Sequence, residues 1–261
     1  MEYTEIYFFG VSLLVAAVVN IVLAMMLWFD SNNCIYAEVP RYLRARRLTG
    51  LSLMVFGIGF LLHWLFMPHF NNLLMGKALS FTYFHIGGVL FSMSHTGLID
   101  RHYFDPSLRE PQGRLSSGQT PAQHKYLTRP VVVRDVTVLI LSLAVYWTNA
   151  FVGDRTLTYL GSALFFLHIG YLTWQFYSRY YRICRQPKKS ADSNPDSNNH
   201  EAEWLIRSCH LIIAFGIGGM LCTVLFHDAT TPFTILLFAG VAVFSYIYKA
   251  LDSYGVKMNK H

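Results

Sequence analysis

The chain contains 261 residues, of which 53% are hydrophobic, and it carries a formal net charge of +6. This positive charge does not indicate nucleic-acid binding, because the basic residues follow the distribution that orients membrane helices. The four cysteines (Cys34, Cys184, Cys209 and Cys222) include no CxxC pair and fall in predicted cytoplasmic segments or within a predicted helix. Disulfides and thiolate metal sites are therefore not expected.

Seven mostly apolar stretches, each at least 18 residues long, contain no Asp, Glu, Lys or Arg. A helix rises 1.5 Å per residue, so about 20 residues cross the roughly 30 Å hydrocarbon core of a bilayer. We therefore predict an all-α, polytopic membrane protein that forms a single seven-helix domain over residues 1–261. The predicted transmembrane helices cover about 5–29, 47–67, 77–99, 134–153, 156–182, 202–226 and 231–252.

The basic residues predict the orientation of these helices. If the N-terminus lies outside, 19 of the 21 Lys and Arg residues lie in cytoplasmic segments, and only Lys77 and Arg155 lie outside. Because translocation of Lys and Arg is disfavoured, the C-terminus is predicted to be cytoplasmic, in a multi-pass protein of the cytoplasmic (inner) membrane. Two cytoplasmic loops, 100–133 and 186–203, are rich in Pro, Ser and Asn and are predicted to be flexible.

The seven charge-free stretches argue against two classes of membrane protein. Transporters and pumps coupled to protons or sodium usually place ionisable groups in the middle of the membrane. Retinal proteins carry a lysine deep in the seventh helix, whereas Lys249 lies at the cytoplasmic end of the seventh predicted helix. Neither class is therefore favoured for this chain.

Two predicted helices carry a polar stripe that includes histidine. A 4-3-4-3 spacing puts the members of each stripe on one helix face, which must point away from lipid because lipid cannot satisfy imidazole or amide groups. The stripes are Phe81, His85, Gly88, Ser92 and His95 on the third helix, and Gly161, Leu164, His168, Tyr171 and Gln175 on the fifth.

Three interpretations of these buried histidines stay open. The first is an outward-facing pocket for a small apolar ligand, since aromatic walls with a few polar groups suit such a ligand. Its predicted lining is His63, Trp64, Tyr83, His85, Trp147, Asn149 and His168. The second is a haem or metal site, with His63, His85 and His168 as candidate ligands. In the third, the histidines only hydrogen-bond across helices and specify packing.

Asp100, Arg101, His102 and Tyr103 follow the third predicted helix at its cytoplasmic end. They resemble the Asp-Arg-Tyr signature that G-protein-coupled receptors carry at this position, although the Asn-Pro-x-x-Tyr motif of those receptors has no counterpart in the seventh helix. We interpret Asp100 and Arg101 as a candidate cytoplasmic switch between the ends of helices three and six. The alternative is a simple helix stop with an anchoring arginine.

The segment Arg44-Ala45-Arg46-Arg47-Leu48-Thr49-Gly50 leads into an apolar helix within this helical array. It is similar to the membrane sensor regions that precede AraC-type helix-turn-helix domains in some bacterial regulators. The sequence contains no such DNA-binding domain, so the resemblance implies a sensor that signals through a cytoplasmic protein partner. We therefore expect a non-enzymatic, receptor-like protein without a cofactor. The open alternatives are a histidine-ligated haem or metal oxidoreductase and a structural membrane subunit without a ligand.

Overall fold

The computed structural model describes residues 3–29, 40–66, 72–99, 129–184, 195–225 and 230–258. These ranges form seven helices and contain no strand. The helices are α1 (Tyr3–Phe29), α2 (Pro40–Phe66), α3 (Leu73–Leu98), α4 (Arg129–Val152), α5 (Arg155–Cys184), α6 (Pro195–Leu225) and α7 (Thr230–Met258). The predicted all-α class is therefore confirmed.

Two of the helices begin about seven residues earlier than predicted. α2 starts at Pro40 and α6 at Pro195, so the first two turns of α6 lie in the segment predicted as a flexible loop. Proline is favoured at the first position of a helix, where its fixed φ fits and its missing N–H would have no partner anyway. Composition alone predicted a linker here because these turns are polar.

Six of the described helices, all except α5, are long and apolar enough to cross a membrane. α5 has 30 residues, which is ample length, but it is less apolar. Five tyrosines lower its hydropathy, together with His168, Gln175 and Arg179. These findings define a multi-pass membrane protein with six candidate spans, whereas the sequence predicted a seventh.

α3 is the central helix of the bundle and packs against α2, α4, α5 and α6, while α1 packs against α2 and α7. α1 carries a stripe of small residues at i+4 spacing: Ser12, Ala16, Asn20 and Ala24 are all buried. Such residues let helix backbones approach closely. The Asn20 amide donates to the Ala16 carbonyl of its own helix at 2.7 Å.

An aromatic core fills the space between α2, α3, α6 and α7. Phe56 is its centre, with the rings of Phe84, Phe215 and Phe244 at 5.6, 5.9 and 5.1 Å. Gly219 on α6 lets the Phe84 ring lie directly against the helix backbone, where a Cβ atom would overlap the ring. The packing of this core therefore requires glycine at position 219 as well as the large aromatic side chains.

Hydrogen bonds between residues far apart in sequence join the helices at the end of the bundle where α1 ends and α2 begins. The Tyr42 hydroxyl donates to the Leu251 carbonyl at 3.0 Å, which joins α2 to α7. The buried Arg46 side chain donates to the Leu27 carbonyl at 2.9 Å and the Met26 carbonyl at 3.3 Å. These carbonyls belong to the last turn of α1, where the helix itself offers them no partner.

Candidate functional site

Three side chains from three helices form a buried hydrogen-bonded chain at the centre of the α3–α4–α5 group. Nδ1 of His85 lies 2.8 Å from the hydroxyl of Tyr146, and Nε2 of His85 lies 2.8 Å from Nδ1 of His168. His85 is fully buried, and Tyr146 and His168 are 3% and 5% exposed. We call these three residues the histidine chain.

The turn between α4 and α5 determines which residues of these two helices lie opposite each other near the histidine chain. Gly153 has φ +74°, a conformation that favours glycine, and its N–H bonds to the Asn149 carbonyl at 2.9 Å to end α4. The Asp154 carboxylate then accepts from the Thr156 N–H at 2.8 Å and caps α5. The short turn makes α4 and α5 antiparallel neighbours and sets Tyr146 against Gly161.

Polar groups continue from both ends of the histidine chain. Towards the α4–α5 turn, the Asn149 amide donates to the Thr158 hydroxyl at 2.8 Å. Towards the other end of the bundle, Arg134 donates to the buried Asp135 carboxylate at 2.6 Å and to the Tyr171 hydroxyl at 2.6 Å. Polar side chains therefore extend along most of the α4–α5 pair.

A second feature is an apolar cavity of about 280 Å³ between α3, α5 and α6, which we call the α5–α6 cavity. Its lining is almost entirely aliphatic and aromatic, with His95 among its few polar members. The main lining residues are Phe84, Gly88, Phe91, His95, Phe165, Ile169, Gly170, Phe176, Ile213, Phe215 and Gly216. No pattern in the sequence predicted this cavity.

The α5–α6 cavity is partly open at the surface of the bundle, and some of its lining residues are exposed. Phe166 and Ile217 on its rim are 40% and 43% exposed. Gly170 on α5 and Gly216 on α6 also line it, and no side chain or neighbouring backbone approaches the Cβ position of either residue. Two glycines therefore leave an entrance between helices that both pack on α3.

An aromatic cluster around His95 forms the floor of the cavity. The His95 ring stacks on Phe91 at 4.2 Å and meets Phe176 and Trp204 edge-on at 6.3 and 6.1 Å. Nδ1 of His95 lies 3.2 Å from the Phe91 carbonyl, whereas its buried Nε2 has no hydrogen-bond partner. The His95 Nε2 atom at the floor is therefore an unpartnered polar atom surrounded by aromatic rings.

The structure separates the predicted site residues into two groups. His85 and His168 meet directly, as described, and Asn149 lies beyond Tyr146. His63 instead lies between α2 and α3, where its Nε2 is 3.4 Å from the Ser80 hydroxyl and its ring meets Tyr83. Trp64 and Trp147 are half-buried against the core. Asp100 and Arg101, the predicted switch, lie outside the described residues.

The histidines do not form a ready metal site. Among the described ranges, no group of three or more His, Cys, Asp or Glu side chains could hold a metal ion. Both ring nitrogens of His85 are already engaged, so metal binding would require one of those bonds to break. A haem or metal at His63, His85 and His168 stays a prediction, and an absorption spectrum with metal analysis of the purified protein tests it.

Sequence reasoning missed Tyr146 and Asp135, although a signal was present. The buried polar residues of α4 are Asp135, Ser142, Tyr146 and Asn149, spaced by seven, four and three residues. That spacing is the inward face of a helix, in the same rhythm as the stripes recognised on the third and fifth helices. Asp135 was placed at the edge of a span, but α4 begins at Arg129 and buries it.

Comparison with known proteins adds no functional assignment. No protein-family model matches this chain, and no curated protein matches it.

Proposed function

We propose that this protein is a membrane sensor that binds a small apolar ligand from within the bilayer and reports it to a cytoplasmic protein partner. The observation that carries the proposal is the α5–α6 cavity, where Gly170 and Gly216 line the wall and leave open space at their Cβ positions. The proposal includes seven spans, with α5 as the seventh, an external N-terminus and a location in the cytoplasmic membrane. The strong bias of basic residues supports this orientation.

The size and lining of the cavity support an apolar ligand. Apolar cavities of about 150 Å³ hold a benzene-sized molecule, so 280 Å³ accommodates a larger hydrocarbon body. The apolar lining favours such a body, and the unpartnered His95 Nε2 at the floor favours a ligand with one hydrogen-bonding group. This cavity replaces the predicted outward-facing pocket in our proposal, because His63 and His85 are already engaged with neighbouring side chains.

The floor of the cavity supports a route for the signal. Phe176 and His95 line the floor of the cavity and contact each other. Tyr177 follows Phe176 in the sequence, and its ring lies 5.4 Å from the His210 ring of α6. A ligand that pressed on this floor would shift α5 against α6, and residues 185–194 join these two helices. The resemblance to membrane sensor regions of AraC-type regulators is consistent with a change that a cytoplasmic partner detects.

Filling the mouth of the cavity tests ligand binding. The probe is a medium-chain fatty alcohol that carries a diazirine and an alkyne, photo-crosslinked to the protein in nanodiscs and mapped by mass spectrometry. We expect labelling of α3, α5 and α6 around the cavity. Gly216→Leu should reduce it about tenfold, which corresponds to about 1.4 kcal/mol of binding free energy. Gly170→Leu should do the same from the opposite wall.

Gly97→Leu is the matched control. Gly97 also has open space at its Cβ position, but it does not line the cavity. The same added side chain should therefore leave labelling unchanged. Equal labelling of all three variants, or labelling spread evenly over the lipid-facing helices, would contradict ligand binding at this site.

Reporter fusions test the proposed topology. Alkaline phosphatase fused after Asp154 should be active, because the α4–α5 turn is proposed to lie outside, whereas the same reporter fused after Lys188 should be inactive. A fluorescent protein fused at either position should show the reverse pattern. If both positions report the same side, α5 does not cross the membrane.

A further inference from the structure

We propose that Tyr146, His85 and His168 form a proton relay through the centre of the bundle. This inference is independent of the α5–α6 cavity and of the sensor function. It rests on two 2.8 Å contacts that join side chains of α4, α3 and α5 into one continuous chain. Each member of the chain can both donate and accept a proton.

The hydrogen bonds of the histidine chain can run in either of two directions. In one, the Tyr146 hydroxyl donates to His85 Nδ1, and the N–H at His85 Nε2 donates to His168 Nδ1. In the other, His168 Nδ1 donates to His85 Nε2, and His85 Nδ1 donates to the Tyr146 oxygen. A neutral imidazole allows both, because its proton can reside on either nitrogen.

One proton crosses the histidine chain when the direction of its hydrogen bonds reverses. A proton reaches the Tyr146 oxygen from water, and the original hydroxyl proton passes to His85 Nδ1. The His85 Nε2 proton passes to His168 Nδ1, and the proton on His168 Nε2 leaves. Each group ends with as many protons as it began with, and both histidines have exchanged tautomers. The first direction returns when each histidine takes up a proton from water at its free Nε2 and releases the proton on its Nδ1 to water, which again leaves its proton count unchanged, and the Tyr146 hydroxyl turns back towards His85.

The end of the relay near the α4–α5 turn has space for a proton donor. Tyr146 lines a small pocket of about 10 Å³ together with Lys77, Asn149 and Thr158. A space of this volume is close to that needed for one water molecule. The Asn149 Oδ1 atom is buried and has no hydrogen-bond partner, so it offers an acceptor that water would satisfy.

The other end of the relay is also open to a new partner. His168 is 95% buried, since 5% of it is exposed, and its Nε2 has no hydrogen-bond partner. The charged groups that act on it are Asp135 and Arg134 of α4. Arg134 reaches the exposed Tyr171, whose hydroxyl also accepts from Gln175. This polar, partly exposed group of side chains is the exit that the proposal assigns to the proton.

The unsatisfied ends favour a relay over a purely structural role. A polar network that only specifies packing is stable when each of its buried atoms has a partner. Here the central bonds are short and complete, whereas unpaired atoms lie at the two ends, on Asn149 and His168. These are the positions where a relay exchanges protons with water.

Proton flux into liposomes tests the relay. The purified full-length protein is reconstituted with pyranine inside the vesicles, and a valinomycin-induced potassium diffusion potential drives protons inwards. We expect the protein to acidify the lumen faster than in protein-free vesicles. Tyr146→Phe keeps the ring and its stacking on Phe81 but removes the hydroxyl, and it should reduce the protein-dependent flux about tenfold. His168→Gln should reduce it similarly.

His63→Gln is the control, because His63 is a buried histidine bonded to Ser80 outside the chain, and its flux should equal that of the unchanged protein. Size-exclusion chromatography and thermal melting confirm that each variant is folded. If the unchanged protein gave a proton flux no greater than that of protein-free vesicles, this result alone would overturn the proposal. An unchanged flux in Tyr146→Phe and His168→Gln would also overturn it.

Discussion

Gly219→Ala is expected to lower the free energy of unfolding by about 2 kcal/mol, the typical cost of overpacking a well-filled core. A single Cβ atom at this position would overlap the Phe84 ring, which is held on other sides by Phe56 and Phe215. Neither the ring nor the α6 backbone can move without opening the aromatic core. The change is measured by SDS titration of the protein in mixed micelles or by its thermal melting.

Gly216→Ala is the matched control for this prediction. It adds the same methyl group to the same helix one turn earlier, where nothing lies within reach of the Cβ position. Alanine in a helix is favoured over glycine by up to about 1 kcal/mol, so this variant should equal or exceed the original stability. Equal stability of the two alanine variants would show that the Phe84 ring does not depend on Gly219.

Arg46→Met is expected to cost about 3 kcal/mol of stability. Met keeps most of the apolar stem, but it removes the guanidinium that donates to the Met26 and Leu27 carbonyls. α1 has no basic residue of its own in its last turn, so these buried carbonyls would lose their partner. The substitution also leaves the half-buried Asp252 without the cation that lies 4.0 Å away.

Arg47→Met separates this effect from a general loss of charge. Arg47 is adjacent in sequence but exposed, and its contact with α1 runs through its backbone carbonyl, which accepts from Trp28 at 3.1 Å. Its substitution should change stability by less than about 0.5 kcal/mol. Similar melting temperatures for the two variants would contradict the role assigned to Arg46.

Most of the helical architecture could be predicted from sequence. Charge-free stretches of at least 18 residues located all seven helices, because charged groups are costly in hydrocarbon. The i+4 spacing of the small residues on α1 is typical of a packing face, and the structure buries all four members of this stripe. The starts of α2 and α6 could not be predicted from hydropathy, since their first turns are polar and begin at Pro40 and Pro195.

The candidate sites were harder to predict because they depend on helix neighbours. The spacing on α3 and α5 indicated inward-facing histidines, and His85 and His168 do meet. The spacing on α4 puts their third partner, Tyr146, on the inward face of that helix, but only the packing arrangement shows that it meets His85. The α5–α6 cavity arises where Gly170 and Gly216 leave open space, and glycines in a membrane helix more often mark close packing, as Gly219 does.

α3 forms a wall that both proposed sites share. His85 belongs to the histidine chain, while Gly88, one turn later, lines the α5–α6 cavity, and the Phe165 ring at 5.3 Å from His85 lines it as well. A molecule in the cavity that displaced α3 or Phe165 would alter the length of the His85 bonds. Such a coupling is reciprocal: if occupancy changes the proton affinity of His85, protonation of His85 changes the affinity for the occupant by the same free energy. The two sites would then act as one thermodynamically linked system.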